Sequence, residues 1–181
     1  MKNILTIDLE EWFQVFFGEN LVDQKDWDLL PSEILCALDV IRKILDSKNL
    51  KITFFTVAWL AKKHPEVIKI LKNDGHEIAS HGYWHQQLFK MSQKEVKIDI
   101  SISKKILEDT IGDKILGYRA PGFSVSPNMS WVFDILSDQG YEYDSSYLYS
   151  RKDYIHKLGN GLIQVPPNSL SILSKEIPTC G

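Results

Sequence analysis

Two histidines four residues apart, His81 and His85, and a run of acids, Asp8-Leu9-Glu10-Glu11, are the residues of this sequence best suited to chemistry. Imidazole nitrogens and carboxylate oxygens both ligate divalent transition metals. On a helical turn the four-residue spacing places both rings on one face, close enough to share an ion. Two surface histidines would show the same spacing, so the pair gains meaning only from a carboxylate on another strand end. Catalytic zinc sites take three protein ligands and leave one position for water. Asp8 and Glu10 are two apart, so on a strand their side chains leave the same face. One can ligate while the other accepts a proton from water. Glu11 then points away and reads as solvated. A solvated acidic turn before Trp12-Phe13 is the plain alternative for the whole run.

Arg119, in the segment Arg119-Ala120-Pro121-Gly122, can anchor a carboxylate through its fork of donors, with Asp144 as a natural partner; such a pair also has a purely structural reading. Gly122 can offer a bare backbone N–H to an oxyanion. Trp84, between the two histidines, is placed to line a cleft. Trp12, Phe13, Phe16 and Phe17 read as core or as a wall for sugar stacking. The other histidines carry less: His64 lies on a polar helix face, His76 reads as packed and hydrogen-bonded, and His156 as loop surface. Cys36 and Cys180 are far apart, belong to no Cys-x-x-Cys pair, and read as free buried thiols.

The elements that must position these groups alternate. A nearly continuous apolar run over residues 3–9 suits a strand covered on both faces. Ile34, Leu35, Leu38, Ile41 and Leu45 recur at helical steps within a helix expected over 31–47, opened by Pro31. Residues 51–57 read as a strand and 59–73 as a helix stopped by Asp74-Gly75. A short strand follows at 76–80. A long helix at 92–110 begins at a capping box of Ser92 and Glu95. Further strands are expected at 114–118 and 141–144, with 162–165 as a sixth, and a helix at 127–139 closed by Gly140. Strands alternating with helices favour a parallel sheet or barrel, in which reactive residues gather at the C-terminal strand ends. Four strand ends here carry such residues.

The 181 residues fit one domain, and 44% hydrophobic with 25% charged residues is the balance of a globular protein. No stretch approaches the ~20 apolar residues of a membrane span. With 21 basic against 24 acidic residues and a net charge of -3, the sequence lacks the clustered cations that phosphate binding needs, so nucleic acid is not an expected partner. The N-terminus lacks the apolar segment of ~7–15 residues of a secretory signal, so a cytoplasmic location is the expectation.

The order of motifs carries a resemblance: Thr6-Ile7-Asp8-Leu9-Glu10, then Thr53-Phe54-Phe55, then Gly75-His76-Glu77-Ile78-Ala79-Ser80-His81 with His85, then Arg119-Ala120-Pro121, then Tyr143-Asp144-Ser145-Ser146. Together they resemble the polysaccharide deacetylases of the NodB-homology type, carbohydrate esterase family 4, over most of the chain. The resemblance implies a distorted (β/α) barrel and a divalent metal, zinc in the first place, although mixed histidine and carboxylate ligation suits other metals. It implies a hydrolase that removes N-acetyl groups from the sugars of a polysaccharide, with His81 and His85 as metal ligands. Asp8 becomes the general base that activates water at the metal, and Arg119 the residue that positions it. The family's usual first motif has two adjacent aspartates, the second a ligand; Leu9 occupies that place, and the third ligand falls to Glu10. Gly82 and Gly122 replace a Ser or Thr and a Tyr of the common pattern, which suggests a branch like the deacetylases of exopolysaccharide clusters. The late Leu-x-His motif that supplies the family's general acid has no counterpart here. A single domain over 1–181, lacking its final strand, with the barrel incomplete at the C-terminus, is therefore expected. The alternatives are an allantoinase-like hydrolase of a small cyclic amide or imide, and a catalytically inactive carbohydrate-binding domain.

Overall fold

The computed structural model describes residues 4–17, 19–20, 22–147, 155–167, 169–172 and 175–178. The strands and helices run β1 (Thr6–Leu9), β2 (Phe16–Phe17), β3 (Glu19–Asn20), α1 (Ile34–Ser47), β4 (Thr53–Thr56), α2 (Ala58–Lys63), α3 (Pro65–Asn73), β5 (Glu77–Ser80), α4 (Gln93–Ile111), β6 (Gly117–Tyr118), α5 (Trp131–Asp138), β7 (Tyr143–Asp144), β8 (His156–Lys157), β9 (Ile163–Gln164), β10 (Ser169–Ile172) and β11 (Lys175–Pro178). Seven strands form one sheet in the order β1-β4-β5-β6-β7-β9-β8. All neighbours are parallel except β8, which runs antiparallel along the outer edge of β9. Among the described residues no pairing joins β8 back to β1. No helix among them is long and apolar enough to cross a membrane.

Each expected strand forms, shorter than its apolar run, and β2, β3, β8, β10 and β11 are additions the sequence pattern did not suggest. The helix expected over 59–73 is two helices. His64 adopts φ -129°, ψ 62° between them, because the ring of Pro65 disfavours helical geometry in the residue before it and then opens α3 at its first position. Helix α1 starts at Ile34 rather than at Pro31. Helix α4 begins as expected: Ser92 N donates to Glu95 Oε2 at 2.7 Å and Ser92 Oγ accepts from Glu95 N at 3.3 Å. It ends at Gly112, whose left-handed φ of 69° lets its N–H reach Glu108 O. Cys36 is exposed on α1, not buried, since it falls between the inward positions Ile34 and Leu38; Cys180 lies outside the described residues.

Alternation along the parallel strands sorts the sheet into two faces. One face packs on helices: Phe54, Ile78 and Tyr118 join Leu60, Ile68, Leu71, Val96, Ile100 and Leu107 in the buried core. The other face carries Thr6, Asp8, Phe55, Glu77, Arg119 and Tyr143, which touch one another across the strands. Tyr143 lies over Gly117 so closely that a Cβ there would sit 2.1 Å from the ring, while its hydroxyl donates to Glu77 Oε1 at 3.0 Å. Only a residue without a side chain fits β6 at that place. Gly117→Ala is therefore expected to destabilise the fold by about 1–3 kcal/mol, the usual cost of overpacking, measurable as a lower denaturation midpoint.

Candidate metal centre

Asp8 leaves the C-terminal end of β1, and Glu10 follows one residue past the strand; His81 follows β5 directly, and Arg119 follows β6. The structure brings all four together with His85. Glu10, His81 and His85 each offer a ligand atom within 4.8 Å of the other two. His85 Nε2 is 2.6 Å from Glu10 Oε2, and His81 Nε2 is 3.7 Å from Asp8 Oδ2.

The two rings are oriented by their other nitrogens. His81 Nδ1 lies 2.8 Å from Arg119 O and His85 Nδ1 lies 2.7 Å from Gln14 O. A carbonyl accepts only, so each Nδ1 carries a proton and each Nε2 is the nitrogen turned to the site. Burial holds the pKa of His81 below its ordinary value, against the opposing pull of Asp8. Glu10 Oε2 is buried, with His85 Nε2 as its polar neighbour. His85 Nε2, His81 Nε2 and the Glu10 carboxylate thus face one point, where a cation would take a ligand atom from each. The donor set of two imidazoles and a carboxylate fits a divalent transition ion.

Asp8 is held differently. Arg119 Nη1 donates to its Oδ1 at 2.6 Å and to Thr6 Oγ1 at 3.1 Å, while Nη2 donates to Ser145 Oγ at 2.9 Å. The guanidinium stacks 3.9 Å from the Phe55 ring centroid, with Phe123 at 5.3 Å. The carboxylate partner of Arg119 is thus Asp8 and not Asp144. Alternation along β7 puts Tyr143 and Ser145 on the site face and turns Asp144 to the helix face, where it accepts from Ser146 N at 3.1 Å and Ser146 Oγ at 2.5 Å. Burial raises the Asp144 pKa to about 6.

Three further readings are corrected. Residues 81–85 form no helical turn; the imidazoles meet because Gly82 has φ 72° and His85 itself has φ 48°. Glu11 is not solvated but 1% exposed, since the chain leaves the strand at Leu9 and the alternation stops there. Its carboxylate accepts from Glu33 N at 3.2 Å and from Ser32 Oγ, at the start of α1. His156 lies half-buried in β8 rather than on loop surface. His76 is buried as expected, its Nδ1 accepting from Ile52 N at 3.3 Å. Trp84 packs against Trp27 and Tyr83, and Phe13 is core against Trp27 and Trp59, while Trp12 is exposed. Gly122 is exposed in a left-handed turn between Pro121 and Phe123. The residue the sequence reading missed is Asp99 on α4, whose carboxylate accepts from Tyr83 N and Trp84 N. Its legible signal was an acid standing among Val96, Ile100 and Ser103 on the buried stripe of that helix.

A parallel α/β sheet whose strand ends bear two oriented imidazoles, a buried carboxylate and an arginine-held aspartate presents a set of side chains that could hold a metal ion. The chain belongs to the polysaccharide deacetylase family, whose model matches residues 30–143. It is 36% identical over 93 residues to a peptidoglycan-N-acetylglucosamine deacetylase of Bacillus cereus, which covers 50% of this chain and 32% of that protein. It resembles the crystal structure of a protein from Mycobacterium smegmatis assigned as a polysaccharide deacetylase, with TM-score 0.61 and 32% identity over 70% of this chain and 43% of that one. An allantoinase structure is similar at TM-score 0.61 and 26% identity, over 72% of this chain and 43% of that one. The fold is the barrel type of this family, of which β1, β4, β5, β6, β7 and β9 form the parallel sheet. The chain spans 32–46% of the length of the first curated relatives it matches.

Two measurements check the site. Equilibration with zinc or cobalt should load one ion per chain. His81→Ala or Glu10→Ala should lower the affinity by more than the about 10–100-fold loss typical of an outer partner, read by chelator competition. Because the folded state holds the Asp144 proton more tightly than the unfolded chain does, that residue favours folding below about pH 4. The favour is lost as pH rises through about 6. Asp144→Asn should remove this loss, of roughly 3 kcal/mol at most, seen as a shallower fall of the denaturation midpoint between pH 4 and 6.

Proposed function

We propose that the protein is a divalent-metal-dependent hydrolase that removes acetyl groups from N-acetylated sugars of a polysaccharide. The observation that carries this reading is the pairing of two differently held carboxylates at one strand end: Glu10 beside the imidazoles, Asp8 locked to Arg119. The Bacillus cereus relative named above supports the sugar N-acetyl group as substrate, as does a chitooligosaccharide deacetylase of Azorhizobium caulinodans among the curated relatives.

A divalent ion, zinc in the first place, would be held by Glu10, His81 and His85, and would supply Lewis-acid polarisation of water and of the acetamide carbonyl. The protein's own residues do the rest. Asp8, 3.7 Å from His81, accepts a proton from the attacking water. Arg119 keeps the Asp8 carboxylate aimed, and the ring of Phe55 keeps the guanidinium in place. The N–H of Gly122 is assigned to the developing oxyanion and Trp84 to the wall of the sugar cleft. Leu9, Gly82 and Gly122 support a place in the exopolysaccharide-cluster branch of the family.

A second reading, hydrolysis of a small cyclic amide or imide, is favoured by the likeness to the allantoinase. A substrate panel separates them. Metal-loaded protein is expected to release acetate from N-acetylglucosamine oligomers. Asp8→Asn is expected to lose about 10²–10⁴-fold in kcat while the variant still binds metal. Ring opening of allantoin without acetate release would favour the second reading. Sugar binding with turnover at background would assign the chain to the inactive carbohydrate binders instead.

A further inference from the structure

The backbone that joins the two histidines has no helix or strand of its own, yet it decides where His85 points. Its carbonyls turn to one side, where Ala58 N at the start of α2 donates to Gly82 O at 2.9 Å and Trp59 N to Tyr83 O at 3.3 Å. Its amides turn to the other side, into α4. Tyr83 N lies 3.0 Å from Oδ2 and 3.2 Å from Oδ1 of Asp99, and Trp84 N lies 3.3 Å from Oδ1.

Asp99 is 6% exposed, and among the described residues no lysine or arginine pairs with it. A buried carboxylate without a cation costs free energy, so its place depends on what it holds. It also occupies space that a neighbour would otherwise fill: a Cβ on Gly82 would sit 2.9 Å from Asp99 Oδ2. His85, two residues beyond the first held amide, keeps φ 48°, a conformation that costs a non-glycine residue roughly 1–3 kcal/mol and persists only where its surroundings over-determine it.

We propose that Asp99 is the positioning residue of the metal centre: its carboxylate holds the 82–84 backbone in the left-handed path that aims His85 at Glu10, and Gly82 is required because that carboxylate occupies the place of a side chain. The inference rests on the reading of Glu10, His81 and His85 as ligands. It assigns to a helix outside the ligand loop the task of anchoring it.

The test is metal affinity together with the absorption spectrum of bound cobalt, which reports ligand geometry. Asp99→Asn keeps the shape but leaves only one accepting oxygen, and is expected to weaken zinc binding about 10–100-fold and to shift the cobalt spectrum. Asp109→Asn, exposed on the same helix, serves as the control and should change neither. Gly82→Ala displaces the carboxylate without removing it, and should weaken binding more in the wild-type background than in Asp99→Ala, where the collision is gone. A lower melting temperature alone, with zinc affinity within twofold of wild type and an unchanged cobalt spectrum in Asp99→Asn, would overturn the proposal. Should Asp99→Asn not fold, a wild-type affinity and spectrum in Gly82→Ala would overturn it equally. Wild-type protein that takes up no zinc or cobalt would overturn the ligand reading itself, a result distinct from either.

Discussion

His81 and His85 each commit one ring nitrogen to a main-chain carbonyl, and the rest of the site depends on that constraint. The two carbonyls belong to Arg119, just past β6, and to Gln14, in the turn after β1. Because the acceptors are backbone atoms, the imidazoles are oriented by the register of the sheet and not by mobile side chains. A strand slipped by one residue would move Arg119 O away from His81 and turn Arg119 itself to the helix face. The same two bonds leave both Nε2 atoms turned toward Glu10.

The charged groups follow a similar economy. Arg119 is 4% exposed, and its guanidinium is matched by Asp8, Thr6 and the Ser145 hydroxyl and carbonyl while lying on Phe55. A buried arginine so fully paired is rigid, and it holds the Asp8 carboxylate in one place at the strand end. Glu11 serves the neighbouring stretch. It ties the turn after β1 to the first residues before α1, while its own N–H donates to Gln14 Oε1 at 2.8 Å. The residue whose carbonyl orients His85 is therefore itself tied to the acid beside Glu10.

Much of this was legible in the residues. The alternation of strands and helices follows from apolar periodicity, which burial enforces wherever an element has a covered face. Asp8, Glu10, His81, His85 and Arg119 stand at strand ends, and a parallel sheet gathers strand ends on one side whatever the details of its loops. The misreadings share one cause. Pairing Arg119 with Asp144 ignored the two-residue alternation that brings Ser145, not Asp144, to the site face. Reading Glu11 as solvated carried that alternation past Leu9, where the strand had ended. A helical turn at 81–85 was inferred from spacing alone, and a loop with two left-handed residues meets the same spacing.

The sequence by itself determined the class of sheet, which acids and histidines stand at its strand ends, and the side of the sheet on which they gather, because residue type and periodicity encode burial and strand direction locally. Only the tertiary structure decided which carboxylate meets which cation, how the histidine rings are turned, and that Asp99 and Glu11 are buried. Those facts depend on contacts between segments far apart in the chain: Asp99 with Tyr83, Glu11 with Glu33, Gln14 with His85, Asp8 with Arg119. No local pattern encodes such distances, because they exist only once the helices have packed on the sheet and the strands have found their register.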